Sequence, residues 1–463
     1  MPMTRWRQLL VLLLALAVWA PAARTFQETR PNVILIQADD LGYGDLSVYG
    51  QKRFETPSID RLAREGTRFT QYYSGSTVCA PSRAALMMGL HTGHVSIRGN
   101  SELPLPASDR TLAMVLRDAG YRTALVGKWG LGDPGTTGLP DRKGFEYSFG
   151  FLNQRHAHRQ FTEHLYRNGQ RVDSDPEREY VNDLFTREAS AFIERDDARP
   201  FFLYLNYTVP HAELRVPEDS LKPFIGKFDE TPFVNEKADS RQTGWKDVSL
   251  GYRSQAAPRA AFAAMITRMD RDVGRLVEVL RTRGLDRRTL VLFTSDNGPH
   301  REGGADPAFF DSSGGLRGIK RDLYEGGIRV PMVAWGPGLV PAGRVSDHVW
   351  AHWDLMPTLA ELGVARTPDG IDGRSMARAL RGDEQPTHEF LYWEFHERGF
   401  QQAVRMGNWK AVRLKKDAPL ELYDLASDRA EMTDVAASNP AIVETMEKYL
   451  KTARTESAQW PIK

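Results

Sequence analysis

The sequence predicts an α/β fold: a large mixed, mostly parallel β-sheet flanked by helices, followed by a smaller C-terminal α+β subdomain containing an antiparallel sheet. Three observations carry this reading. Short apolar runs bounded by turn residues recur through the first three quarters of the 463-residue chain, as strands covered on both faces do. Segments with helical spacing separate those runs. After about Pro386 the texture changes to closely spaced short strand patterns, as in an antiparallel meander.

Val33 to Ile36 is the first strand, and Thr123 to Val126, Phe201 to Leu205, Leu290 to Thr294 and Val330 to Trp335 follow it. Between them, Thr111 to Ala119 and Arg259 to Arg283 have helical spacing. The second of these places Phe262, Met265, Ile266, Met269, Val273 and Leu276 on one stripe, with Gly284 as its stop. From Ala212 to Pro258 the pattern dissolves into Pro, Gly and charged residues, which reads as a long surface excursion over the sheet edge. In the last segment, Phe390 to Phe395, Gln402 to Val404, Trp409 to Leu414 and Leu420 to Tyr423 read as antiparallel strands, with a helix from Pro440 to about Ala453. The chain exceeds the usual size of one domain. It divides into a main domain over residues 24–385 and the subdomain over residues 386–463.

Residues 1–23 read as a secretory signal peptide: Arg5 and Arg7 precede the apolar run Leu9 to Ala20, and small residues follow at Ala22 and Ala23. The run is short for a membrane span, so a secreted or periplasmic protein with no membrane span after cleavage is expected. With 61 basic and 60 acidic residues the net charge is +1, which provides no global field for nucleic acid or a membrane surface. Cys79 is the single cysteine, which excludes an intrachain disulfide and a cysteine-rich zinc site.

Ligands of open α/β sheets bind beyond the carboxyl ends of parallel strands, and those positions are unusually polar here. The first strand runs into Asp39-Asp40, the second into Gly127-Lys128, the third into Pro210-His211 and the fourth into Asp296-Asn297-Gly298. Hard oxygen donors of this kind suit calcium or magnesium, calcium first, more than zinc. The same Asp, Asn and Gly are also ordinary turn formers, but both acidic clusters closely follow strongly apolar strands. Cys79-Ala80-Pro81-Ser82-Arg83 opens a helix-forming run through Gly89, with Pro near its start.

Cys-x-Pro-Ser-Arg is the pattern of the type I, formylglycine-dependent sulfatases of the alkaline phosphatase superfamily, and the chain resembles that family over nearly all of residues 24–463. The supporting motifs come in the family's order. They are Asp39-Asp40-Leu41-Gly42-Tyr43-Gly44-Asp45, the cysteine motif, Gly127-Lys128-Trp129, Pro210-His211, Asp296-Asn297-Gly298, and Lys320 through Tyr324 to Pro331. The stretches Asn153 to His158 and Asp296 to Gly304 further resemble bacterial sulfatases acting on galactose or N-acetylgalactosamine sulfates. The resemblance implies an alkaline-phosphatase-like fold and hydrolysis of a sulfate ester, on a sulfated carbohydrate or an aryl sulfate. It implies formylglycine made from Cys79 by a formylglycine-generating enzyme or an anaerobic sulfatase-maturating enzyme. Calcium would be held by Asp39, Asp40, Asp296 and Asn297, with residue 79 completing the shell. Arg83 would hold the formylglycine hydrate, while Lys128, His211 and Lys320 would contact the sulfate and the leaving oxygen, with His211 as the acid.

One position departs from the pattern. The family reads Gly-Lys-Trp-His where this chain has Gly130 after Trp129, so the imidazole that serves the hydrate is missing. His156, His158 and His300 are candidates to replace it. Arg155 and Arg159 are candidates to grip a sugar or a neighbouring anion. Two other functions stay open at this point: a phosphatase or phosphonate monoester hydrolase on the same fold, and an inactive binder of sulfated glycans.

Overall fold

A computed structural model of the chain describes residues 30–239 and 251–462. The signal-peptide reading of residues 1–23 lies outside the described residues. The main sheet is built from β1 (Asn32–Asp39), β2 (Thr67–Tyr73), β3 (Arg122–Lys128), β4 (Tyr147–Phe151), β5 (His164–Arg167), β6 (Gln170–Asp173), β7 (Phe201–Pro210), β8 (Thr289–Ser295), β9 (Arg329–Trp335), β10 (Arg344–Ser346) and β11 (Trp350–Ala351). Its order is β10-β2-β9-β8-β1-β7-β3-β4-β5-β6, with β11 also on β2. The central run β8-β1-β7-β3-β4 is parallel throughout. β9 runs antiparallel to both β8 and β2, and β5 and β6 add an antiparallel edge.

Period-two alternation explains why the central strands read as unbroken apolar runs. On β1, Ile34 and Ile36 enter the core on one face of the sheet, while Val33 and Leu35 enter the core on the other. The first face is covered by helices Pro57–Glu65, Val181–Glu194 and Pro258–Thr282, the second by helices Cys79–Met88, Leu112–Asp118 and Leu355–Leu362. The long helix ends where expected, at Gly284 with φ +64°. Of the Ala212 to Pro258 stretch, residues 217–237 are exposed or half-buried, as a surface excursion requires, and residues 240–250 lie outside the described residues. Leu214 and Val216 belong to the core instead, and Tyr252 reaches the cavity described below.

The second sheet consists of β12 (Leu391–Phe395), β13 (Gln401–Met406), β14 (Trp409–Arg413) and β15 (Glu421–Asp424), antiparallel in chain order. Trp393, Phe395, Ala403 and Val412 pack on Tyr73, Leu323, Ile328 and Trp353 of the main body. The alternate residues Tyr392, Val404, Ala411 and Leu422 pack on Met446 and Leu450 of helix Pro440–Thr452. Buried ion pairs lock the junction. Lys410 Nζ on β14 lies 3.0 Å from Glu325 and 2.9 Å from Glu431, all three fully buried, and Glu325 also pairs with Arg329 at 3.2 Å.

A second junction contact ties stability to the charge of one buried carboxylate. Glu394 on β12 pairs with Arg98 at 2.8 Å, Arg454 at 3.0 Å and His396 at 3.0 Å. Burial opposes its charge, but the His396 bond and the Arg98 and Arg454 guanidiniums outweigh it and hold the carboxyl at about 2. A carboxyl depressed below its unfolded value contributes stability that is complete above the unfolded pKa and is lost as pH falls through the folded one. Glu394→Gln is expected to cost about 3 kcal/mol near neutral pH. The gap to the parent should close between about pH 4.5 and 2, as followed by urea unfolding across that window.

Candidate active site

The four central parallel strands deliver their polar ends to one place. Asp39 closes β1, and Asp40 follows in a left-handed conformation at φ +64°. Lys128 closes β3. Its neighbour Gly127 passes so close to β7 that a Cβ there would lie 1.8 Å from the Asn206 carbonyl oxygen. His211 follows β7, and Asp296 and Asn297 follow β8. From the far side Cys79 enters as the first residue of helix Cys79–Met88, every residue of which is buried. Lys320 comes from the loop before β9, which the Glu325–Lys410 pair ties to the second sheet.

These side chains form one network. Lys128 Nζ donates to Asp39 Oδ2 at 2.7 Å, and Lys320 Nζ to Asp40 Oδ2 at 2.7 Å. Arg83, fully buried, donates through Nε and Nη2 to Asp296 Oδ2 at 3.1 and 2.7 Å, and through Nη1 to the Lys128 carbonyl at 3.1 Å. Cys79 Sγ lies 3.5 Å from Asp39 Oδ1 and 3.8 Å from Asp40 Oδ1. Ser82 of the cysteine motif bolts the helix down: its hydroxyl donates to the Asp296 carbonyl at 2.5 Å and accepts from Gly75 N–H at 3.0 Å.

Electrostatics follow from burial and pairing. Burial works against the Asp39 charge, but Lys128, with Arg83 and Lys320, holds its carboxyl well below the usual range. Burial, then the neighbouring Asp39, push Asp296 upward. Burial also pushes the Cys79 thiol well up, so an unmodified Cys79 is a neutral thiol. His211 is held well down by burial and by Lys320. Its Nδ1–H donates to the Ala212 carbonyl at 2.6 Å, which leaves Nε2 to accept from Lys320 Nζ at 3.0 Å.

The donor set fits a hard cation. Asp39, Asp40, Cys79 and His211 bring ligand atoms within 4.8 Å of one another. Asn297 Oδ1 is buried beside them without a partner, its Nδ2 donating to Asp40 Oδ1 at 2.7 Å. A buried carbonyl oxygen that makes no hydrogen bond, next to converging carboxylates, is the kind of donor an oxygen-loving ion takes.

The three candidate histidines separate. His158 lines the cavity that opens above Cys79 and stacks on His211 with ring centroids 4.3 Å apart. His156 turns into the core, where Nε2 meets Thr162 Oγ1 at 2.8 Å and the ring packs on Phe151. His300 stacks on His211 at 5.4 Å, but both nitrogens are used: Nδ1 accepts from Glu302 N–H at 3.0 Å, and Nε2 donates to the Pro210 carbonyl at 3.0 Å. Arg155 stands at the rim, 3.5 Å from Glu102, whereas Arg159 is consumed by Glu213 at 2.9 Å.

The cavity, about 240 Å³, is also walled by Asn100, Gln154, Tyr252, Glu302, Arg321 and Glu397. Sequence reasoning gave none of these residues a role. Gln154, Glu302 and Arg321 lie in or beside stretches that it singled out, Asn153 to His158, Asp296 to Gly304 and the Lys320 motif; Asn100, Tyr252 and Glu397 reach the site through loops that carry no periodicity.

Three carboxylates facing three cations beside a polar cavity form a site whose charges suit a hard cation and a small oxyanion. Residues 31–363 match the Sulfatase family, and residues 318–456 match the N-sulphoglucosamine sulphohydrolase C-terminal family. The arylsulfatase of Hemicentrotus pulcherrimus is 32% identical over 82% of this chain and 67% of its own length. The N-acetylgalactosamine-6-sulfatase of Canis lupus familiaris is 31% identical over 88% of this chain and 75% of its own. Among solved structures, Ps i-CgsB in complex with k-i-k-neocarrahexaose superposes with a TM-score of 0.78 at 29% identity, covering 94% of this chain and 95% of that one. The chain belongs to the sulfatase family and is a sulfuric ester hydrolase. Among the described residues no helix is long and apolar enough to cross a membrane.

Proposed function

We propose that this sulfatase is exported and hydrolyses the sulfate ester of a sulfated carbohydrate, such as a galactose or N-acetylgalactosamine sulfate, at the cavity floored by Cys79. The single observation that carries the proposal is the meeting of Cys79 with three carboxylates and three cations at that floor. Names among the relatives support the sugar: N-acetylgalactosamine-6-sulfatase, and the structure containing neocarrahexaose. We read residues 1–23 as the leader, residues 24–385 as the catalytic domain and residues 386–463 as a subdomain that braces the Lys320 loop.

Asp39, Asp40, Asp296 and Asn297 would hold calcium, with residue 79 beside it. Once Cys79 is converted by a maturation enzyme, formylglycine and calcium supply an activated oxygen nucleophile next to a fixed positive charge. The chain's own residues do the rest. The three carboxylates are already matched by Lys128, Lys320 and Arg83, so a divalent ion leaves a positive surplus that an anionic sulfate ester offsets. Lys128 and Lys320 orient the sulfuryl oxygens. Arg83 fixes Asp296 and the helix that carries residue 79. The proton between Lys320 Nζ and His211 Nε2 rests on the lysine, and this pair delivers it to the leaving alcohol oxygen.

His158 takes the part of the imidazole missing at Gly130. Stacked on His211 and facing the cavity, it can accept a proton at a ring nitrogen, and burial followed by His211 lowers its pKa toward the neutral form that this requires. His158→Ala is expected to lower kcat by about 10²- to 10⁴-fold, whereas His156→Ala should lower thermal stability and keep turnover. Inorganic sulfate released from galactose sulfate by the two variants checks this. Equal rates would remove His158 from the mechanism.

A further inference from the structure

His300 is buried and is not among the residues that line the cavity, yet both of its ring nitrogens are committed. The backbone N–H of Glu302 can only donate, so His300 Nδ1 accepts from it and the ring proton sits on Nε2, which donates to the Pro210 carbonyl at 3.0 Å. Pro210 ends β7 and directly precedes His211. The His300 ring also stacks on the His211 ring, with centroids 5.4 Å and planes 16° apart. One side chain thus holds both the backbone and the ring of one member of the proton-delivering pair.

The same short segment holds the other member. Lys320 N–H donates to the carbonyl of Pro299, the residue before His300, at 2.9 Å. Two residues after His300, Glu302 Oε2 lies 3.5 Å from both Lys320 Nζ and His211 Nε2 and accepts from the Tyr252 hydroxyl at 3.0 Å, while Arg321 fixes Oε1 at 2.6 Å. With Asp40 Oδ2 at 2.7 Å and His211 Nε2 at 3.0 Å, the Lys320 ammonium therefore has three neighbours to direct it. Residues 299–302 set how Lys320 Nζ and His211 Nε2 face each other, and His300 ties that segment to the end of β7.

Resting on the reaction proposed above, we infer that His300 is a positioning residue for protonation of the leaving oxygen. It acts through its bond to Pro210 and touches no reacting atom. A displaced proton donor costs most where the departing group most needs the proton. A nitrophenolate leaves without one, whereas a sugar alkoxide does not.

The test reads kcat and KM of the full-length, formylglycine-bearing enzyme on galactose sulfate, phenyl sulfate and 4-nitrophenyl sulfate, whose leaving groups need a proton in decreasing order. In His300→Asn the amide oxygen replaces Nδ1 and keeps the Glu302 bond, but the donor to Pro210 is lost. In His300→Gln the amide nitrogen replaces Nε2 and keeps the Pro210 bond. His300→Asn should lower kcat about 10- to 100-fold on galactose sulfate, less on phenyl sulfate and less than about threefold on 4-nitrophenyl sulfate, with KM within about threefold of the parent throughout. His300→Ala, which loses both bonds, should follow the same order, and retained 4-nitrophenyl sulfate turnover shows that each variant is folded. His300→Gln should stay within about threefold of the parent on all three substrates. His211→Asn, measured beside them, should show the leaving-group dependence in full. Equal losses across the three substrates in the Asn and Ala variants, no loss on galactose sulfate, or a Gln variant as impaired as Asn overturns the inference and leaves the reaction standing. A parent enzyme that releases sulfate from none of the three, or a His211→Asn variant that loses equally on all of them, overturns the proton-delivery reading and this inference with it.

Discussion

Cys79→Ala is expected to abolish sulfate release, with turnover falling by at least about 10⁵-fold, in the range seen when a covalent nucleophile is removed. The loss should be chemical. Cys79 is a small, fully buried side chain at the start of a helix whose body is held by Ser82 and Arg83, and alanine suits that helix. Thermal stability should therefore stay close to the parent value. Cys79→Ala should still bind the sugar sulfate, because Lys128 and Lys320 are untouched. Isothermal titration with the sulfated sugar, beside a sulfate-release assay, separates the two effects. An alanine variant that keeps measurable turnover would refute a role for residue 79 in the chemistry.

Removing the proposed calcium is expected to lower turnover by about 10³-fold or more, since a cation bound at such a site would stabilise transition-state charge by several kcal/mol. Without a cation, burial and the neighbouring Asp39 penalise the Asp296 charge, while Asn297 Oδ1 stays unpaired. A bound ion relieves both. Calcium at about 100 times its dissociation constant should therefore stabilise the fold by about 2.7 kcal/mol. Asp296→Asn should remove that stabilisation together with the activity. Its effect extends to Arg83, which would lose a bidentate carboxylate at 3.1 and 2.7 Å in a fully buried position. Thermal melts of chelated and calcium-loaded protein, parent against Asp296→Asn, check both parts. A chelated enzyme with full activity would contradict the assigned ligand set.

The central architecture was legible because β1, β3, β7 and β8 are covered on both faces and so read as apolar runs, and because their polar ends fall on one edge. The second sheet was legible from period two: each of its strands sends alternate residues to the main body and to the last helix. β2 was not legible. Thr67–Tyr73 mixes Arg, Gln and Thr with aromatics, since one side of this strand near the sheet edge is only partly covered. The direction of β9 was hidden too, because a buried antiparallel strand has the same apolar run as a parallel one.

At the site, the residues that could be read directly sit at the ends of elements or in fixed motifs, Asp39 to Lys320. Asn100, Tyr252 and Glu397 gather there only through the fold. Sequence reasoning found the gap at Gly130 but could not choose its replacement among His156, His158 and His300. That choice depends on which way the Asn153 to His158 turn faces, which tertiary packing decides. The proposal for His158 rests on its place in the cavity lining, where neither His156 nor His300 stands, and on the hydrogen bonds that engage the other two.

The most direct test of the central claim is one assay on protein co-expressed with a formylglycine-generating enzyme: inorganic sulfate and inorganic phosphate released from galactose 6-sulfate and galactose 6-phosphate under matched conditions. The account predicts sulfate release that exceeds phosphate release by orders of magnitude and disappears in Cys79→Ala. Phosphate release as the dominant activity, or sulfate release that survives the Cys79→Ala change, would contradict it.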